Sequence, residues 1–172
     1  MSLSLRVIAE SDAEALCELL QANKEHLQPW EPLREPAFFS ERVQRELIRQ
    51  SLRAHELGAQ YPFVIVGENG ELLGRLSLNS VIRGALQSCA ISYWVRADRL
   101  RRGYASQAVH QAVSFAFDVL GLHRVQAETL PENLASQAVL KRAGFTLYGV
   151  TPQYLKINGT WRDHLMFHIL HQ

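Results

Sequence analysis

Leu3, Leu5 and Val7 alternate with polar neighbours, the period-two pattern of a strand with one buried face. The period then changes. Ala15, Leu16, Leu19 and Leu20 recur at helical spacing behind Ser11-Asp12-Ala13-Glu14, which reads as a capping box with Ser11 as N-cap and Glu14 at N3. That pattern predicts a helix to about Asn23, followed by a proline-bounded loop at His26-Leu27-Gln28-Pro29-Trp30-Glu31-Pro32. Trp30 in that loop packs on a core edge or lines a substrate groove. A second helix, capped by Ser40 and stopped by Gly58, has Val43, Leu47, Ile48 and Leu52 on one face and a solvated mixed-charge run on the other.

Three strands follow with short links: Pro62–Gly67, Leu72–Val81 and Gln87–Val95. Asn69-Gly70 makes the first link a two-residue hairpin turn, so the three form an antiparallel meander. An alanine-rich helix starts after Gly103 and ends at Gly121. Because a helix separates it from the previous strand, Arg124–Leu130 runs parallel to that strand. Asn133 caps a short helix ending at Gly144, and Phe145–Ile157 and Thr160–Ile169 close the chain as a hairpin turned at Asn158-Gly159. The fold class is therefore α/β (α+β). A mixed central sheet, antiparallel at its N-terminal meander and parallel at one pair, is flanked by about four helices within a single domain, residues 1–172. Ligands in such sheets bind at strand carboxyl ends where direction changes, here between the ends at Val95 and Leu130.

Composition narrows the chemistry. The chain is 47% hydrophobic and 20% charged, with a net charge of +1, so neither direct nucleic-acid binding nor a charged membrane surface is expected. Cys17 and Cys89 sit in apolar periodic segments without metal-ligand spacing; they read as buried thiols, and no metal is expected. Met1–Arg6 lacks the basic start and long apolar run of a leader, and no stretch approaches a membrane span of about 18 apolar residues, so a cytoplasmic protein is expected.

The chemistry concentrates after Val95. A strand, the basic turn Arg101-Arg102-Gly103-Tyr104-Ala105-Ser106 and a helix start make an anion cradle. The first-turn N–H groups have no partner inside the helix, and Gly103 removes the Cβ that would hold a phosphate away. A second helix start, Asn133-Leu134-Ala135-Ser136, follows the next strand. Neither the GxxxxGK[ST] phosphate loop nor the GxGxxG dinucleotide fingerprint occurs.

The ordered set resembles the GNAT acetyltransferase superfamily, whose signature turn reads Q/R-x-x-G-x-G/A, with an asparagine at the next helix start and then a GF. Here these are Leu100–Ala105, Asn133 and Gly144-Phe145. Leu27–Pro32, Ile91–Val95, Asn133-x-x-Ser136 and Tyr154–His164 are similar to the branch of ribosomal-protein alanine N-acetyltransferases. The resemblance implies acetyl-CoA as co-substrate. Backbone N–H groups from Arg101 to Ser106 would hold its pyrophosphate, and the strand edge at Trp94, Val95 and Arg96 would pair with its pantetheine amides. An N–H near Val95 would stabilise the oxyanion, Asn133 would touch the pantetheine arm, and Ser136 would face the sulfur. Two positions depart from the pattern. Leu100 stands where Gln or Arg is usual, and Leu140 stands where many members carry a tyrosine acid, which moves that role to Ser136.

The acceptor amine must lose a proton to attack, and the candidate bases are Glu31 and His26, with Trp30 and Tyr154 as further acceptor contacts; Asp163-His164 reads as structural packing. An α-amine, with a pKa near 8, needs less help than a lysine near 10.4. A protein or peptide N-terminus is therefore the expected acceptor. A small amine or antibiotic, or a catalytically weak CoA-binding module, is the alternative. A homodimer through the C-terminal hairpin is also open.

Overall fold

The computed structural model describes residues 3–172; Met1 and Ser2, the start of the stretch read for a leader, lie outside them. Seven strands form one sheet: β1 (Leu3–Val7), β2 (Tyr61–Gly67), β3 (Leu72–Ile82), β4 (Ser88–Val95), β5 (Arg124–Thr129), β6 (Thr146–Ile157) and β7 (Thr160–Leu170). Their order is β1-β2-β3-β4-β5-β7-β6, every neighbouring pair antiparallel except β4 and β5. The expected meander, parallel pair and closing hairpin are all present.

Five helices flank the sheet: α1 (Ala13–Ala22), α2 (Lys24–Leu27), α3 (Glu41–Glu56), α4 (Tyr104–Ser114) and α5 (Leu134–Arg142). Strand alternation sends side chains to two cores. Phe63, Ile65, Cys89, Ile91, Val95, Val125 and Ala127 meet Ala108, Val109, Ala112 and Leu140 on the α4/α5 side. Val64, Val66 and Trp94 meet Leu16, Leu20 and Ile48 on the α1/α3 side.

Three local expectations are corrected. Ser11 is not the first helix's cap. The chain enters through a 3-10 turn at Glu10–Asp12, where the Asp12 carboxylate accepts the Ala9 N–H at 2.8 Å and two bonds from Arg6 at 2.7 and 2.8 Å. One side chain thus supplies the helix-start acceptor and a salt bridge, which a serine hydroxyl cannot. The loop predicted at 26–32 begins as α2 and a 3-10 turn, Gln28–Trp30, because Pro29 is compatible with the first turn of a helix and breaks only its interior. The helix expected to reach Gly121 leaves α geometry at Phe115, closing in a π turn over Phe115–Val119.

Candidate functional site

β4 and β5 pair over only three residues: Ser88 with Arg124, Cys89 with Val125 and Ala90 with Gln126. Beyond Ala90 and Gln126 the two strands part. β4 continues to Val95 and β5 to Thr129 with a gap between them. The fork opens a cleft of about 1010 Å³ that crosses the sheet, from Ala105, Ser136 and Leu140 on one side to Leu16, Gln50 and Ser51 on the other.

The edge that β4 presents to the fork follows from its pairing with β3. Arg96 donates its N–H to Leu73 O at 2.8 Å, so in an antiparallel ladder the alternate residues Val95 and Tyr93 turn their N–H and C=O groups the other way, into the fork. Of the expected edge at Trp94, Val95 and Arg96, the main chain of Val95 is the part turned to the fork. Trp94 pairs with Arg75 across the β3 side and sends its ring into the α1/α3 core. Arg96 is held by β3 and by Asp98, at 2.6 and 3.1 Å. Gly74 faces this bend from β3, where any Cβ would collide with the Trp94 carbonyl oxygen.

At one mouth of the cleft lies the basic turn. Arg101 and Gly103 have φ of 59° and 81°, and the N–H groups of Arg101, Arg102, Gly103, Tyr104, Ala105 and Ser106 have no hydrogen-bond acceptor among the described residues. A Cβ on Gly103 would meet nothing within 4 Å, so the space over these groups is open. Arg101 and Arg102 are exposed. The Tyr104 side chain is buried in the core and leaves only its N–H for a ligand.

Ser136 and Asn133 face the fork from α5. Asn133 Oδ1 accepts the Ser136 N–H at 3.1 Å, which fixes the first turn of α5 and leaves the Asn133 amide nitrogen for other partners. The Ser136 hydroxyl lies 2.9 Å from the Tyr93 hydroxyl. Burial pushes the Tyr93 phenol up to about 12, so it stays protonated and keeps a proton to donate, with Ser136 Oγ and, at 3.3 Å, the Ser136 carbonyl oxygen within its reach. Tyr93 is a site residue that sequence reasoning did not single out, because it reads as one more large residue of a core-facing alternation.

The α1/α3 side of the cleft is built from segments far apart in the chain. Val125 and Ala127 face the other core, so Glu128 of β5 points to this side and lines the cleft. Burial raises its carboxyl above the ordinary range with no basic partner opposing the shift. Glu128 is the base candidate the sequence reading missed: a glutamate in a strand of alternating polarity looks like a solvated outer residue. His26, Trp30 and Glu31 also line the cleft, as expected. Glu31 is half-buried, its carboxyl raised by burial against the opposing pull of Arg34 and Arg75 and its oxygen 3.6 Å from Arg34. The Glu31 carbonyl accepts the Asn158 N–H at 2.9 Å, tying this loop to the β6–β7 turn. Tyr154, the expected acceptor contact, is not itself in the cleft wall, which its neighbours Leu155–Ile157 line; it stands edge-on to His164, 5.6 Å between ring centroids, and burial first, then the charge of Glu128, raises the pKa of its phenol. His164 is buried, bonded through Nδ1 to Arg162 O at 3.0 Å, and borders the cleft. Gln44 Oε1 and Thr129 Oγ1 line the cleft, buried and without a partner among the described residues. Each such group costs about 1–3 kcal/mol while unmet. Among the described residues no group of three or more His, Cys, Asp or Glu could hold a metal, and no helix is long and apolar enough to cross a membrane.

Residues 2–146 match the family model described as an acetyltransferase (GNAT) domain. A Bacillus subtilis (strain 168) protein named "Probable N-acetyltransferase YjcK" is 33% identical over 167 residues, 96% of this chain and 92% of that protein. The ribosomal protein uS5-alanine N-acetyltransferase of Escherichia coli (strain K12) is 27% identical over 165 residues, 95% of this chain and 85% of its own. The solved structure of Mycobacterium smegmatis RimJ in complex with CoA-disulfide superposes with a TM-score of 0.94 at 34% identity, covering 98% of this chain and 81% of that one.

Proposed function

The chain belongs to the GNAT acetyltransferase family as an acetyl-CoA-dependent N-acetyltransferase, and we propose that its acceptor is the N-terminal α-amine of a protein or peptide, with ribosomal proteins as the class. A relative named for acting on ribosomal protein uS5 supports that class. The observation that carries the reading is the fork itself: an open cleft through the sheet, with donor groups on one side and Glu128 on the other.

The residues present fit the co-substrate. The open run of N–H groups from Arg101 to Ser106 suits a pyrophosphate, and the unpaired β4 edge at Tyr93 and Val95 suits an amide-bearing extended arm. Acetyl-CoA supplies an activated acyl group as a thioester. The Val95 N–H is placed to donate to the carbonyl oxygen as negative charge develops there, an interaction typically worth about 10²–10³ in rate. Glu128 takes the ammonium proton, directly or through water, so that the nitrogen lone pair can form the new C–N bond. As the C–S bond breaks, the Ser136 hydroxyl donates to the departing sulfur. Tyr93 acts through Ser136: by donating to Ser136 Oγ it leaves the seryl proton free to point into the fork. Asn133 holds the start of α5 and offers its amide nitrogen to the arm.

A lone carboxylate with a raised pKa suits a weakly basic amine. An α-amine near pKa 8 is partly neutral already at pH 7, whereas a lysine near 10.4 is not. The test is mass spectrometry of peptides with Ala or Ser N-termini incubated with enzyme and acetyl-CoA. A gain of one acetyl group at the α-nitrogen is the expected result. Acetylation of a small amine with no mass gain on any peptide would overturn the proposal.

A further inference from the structure

Arg75 is a charged side chain inside the cleft that the proposed chemistry does not use. It projects from β3, a central strand, on the α1/α3 side, opposite Trp94 in the register. Trp94 immediately precedes Val95, so the base of this side chain lies beside the point where β4 offers its N–H to the fork. The guanidinium is half-buried, and among the described residues its one hydrogen bond runs from Nη2 to Ser51 Oγ at 3.2 Å. Among the described residues no carboxylate forms an ion pair with it; the nearest acid in charge terms, Glu31, is turned to Arg34. Arg34 is close enough to Arg75 for the two cations to repel, so this end of the cleft holds two guanidinium groups around one carboxylate. A guanidinium has five N–H donors in a planar fork, and keeping it partly dry with one neutral partner is costly. The missing partner is an anion, and the open side of Arg75 is the acceptor side of the cleft.

We propose that Arg75, supported by Ser51 and Arg34, is an anion-recognising subsite that selects acceptors carrying a carboxylate close to the reacting amine. The inference rests on the acceptor reading above and sharpens it: the preferred peptides have Asp or Glu within their first few residues. The same carboxylate chemistry could come from the free C-terminus of a very short acceptor, so the test separates the two sources.

The measurement is kcat/KM for Ala-initiated peptides with amidated C-termini, carrying Glu, Gln or Lys at the second or third position, alongside Ala-Ala with a free and with an amidated C-terminus. The expected result is an advantage of about tenfold or more for Glu over Gln, the scale of one charge-assisted hydrogen bond, with Lys the poorest. If instead only free Ala-Ala gains over its amide, the side-chain source is overturned in favour of a terminal carboxylate. In Arg75→Gln the Glu/Gln ratio is expected to fall towards one, and in Arg75→Glu the Lys peptide is expected to overtake the Glu peptide. Each ratio is taken within one enzyme preparation, so a loss of folded protein cancels. Arg75→Lys, which keeps the charge, is expected to keep the order. Equal turnover of Glu, Gln and Lys peptides by the unaltered protein, or a Glu preference that survives in Arg75→Gln, would overturn the subsite. Failure to acetylate any peptide would instead overturn the acceptor reading on which it rests.

Discussion

The two sides of the fork are made of different material. The α4/α5 side presents mostly main chain: six N–H groups at the Arg101–Ser106 turn without an acceptor among the described residues and the free edge of β4 at Tyr93 and Val95, with the paired hydroxyls of Ser136 and Tyr93 at the centre. The α1/α3 side presents side chains carried by β5, β3, the 28–40 segment and the closing hairpin: Glu128, Arg75, Glu31, Arg34 and His164. Main-chain donors suit a ligand whose recognition needs no particular side chain, because any residue supplies an N–H provided the turn geometry is kept. Side chains set what differs from one protein to the next. On the proposed reading the first side takes the donor and the second the acceptor.

That division can be broken most sharply at Glu128. Glu128→Gln is expected to lower kcat by about 10²–10⁴, the usual contribution of a general base, while calorimetry shows CoA affinity unchanged. Its pH dependence has a fixed sign. The base works deprotonated, and burial raises its pKa, so kcat/KM falls on acidification at a higher pH than an ordinary carboxylate would give. That acid limb should vanish from the Glu128→Gln profile. A limb that persists would move the base to Glu31.

On the donor side the expected losses are smaller and graded. Ser136→Ala is expected to lower kcat by about tenfold to a hundredfold, as for one hydrogen bond to a charged group, with peptide preference unaltered. Tyr93→Phe, which removes a hydroxyl bonded among the described residues to Ser136 alone, is expected to cost about fivefold, and combining it with Ser136→Ala is expected to add little. A Tyr93→Phe loss that adds in full to that of Ser136→Ala would mean that the phenol acts on the reactants directly.

The smallest effect sharpens the comparison from outside it. Asp12→Asn removes the Arg6 salt bridge and weakens the start of α1, away from both sides of the fork. Chemical denaturation is expected to show a loss of about 1 kcal/mol with kcat unchanged. Asp12 has its pKa lowered, first by the Arg6 hydrogen bond. Its contribution is therefore full above the unfolded-state carboxylate pKa and disappears as pH falls through the lowered folded value, so the difference between the two proteins should close at acid pH.

The same contrast explains what could be read in the linear chain. The donor side is local in sequence: a strand end, Arg101-Arg102-Gly103 and a helix start lie within a dozen residues, and the physics of a helix N-terminus announces them. Asn133 and Ser136 sit three apart on one helical turn and were legible for the same reason. Glu128 and Arg75 were not. Each is a charged residue in a strand of alternating polarity, which signals an outer face, and only the parting of β4 from β5 turns that face into a cleft wall. Within Trp94–Arg96 the sequence did not show which main-chain groups face the fork, because that depends on register, and register is set by β3. The Asp12 cap was hidden because its partner Arg6 lies in a different element.

The three-residue contact between β4 and β5 also has a mechanical meaning. Side by side, the four-stranded and three-stranded parts of the sheet are laced together, among the described residues, by main-chain bonds over 87–90 and 123–126, and past that seam the sheet has no continuous ladder. An extended arm lying along Val95 would complete the ladder on the β4 side, as an inserted strand does. The reactant would then be a temporary structural member of the protein, and each turnover would end with the sheet losing a strand.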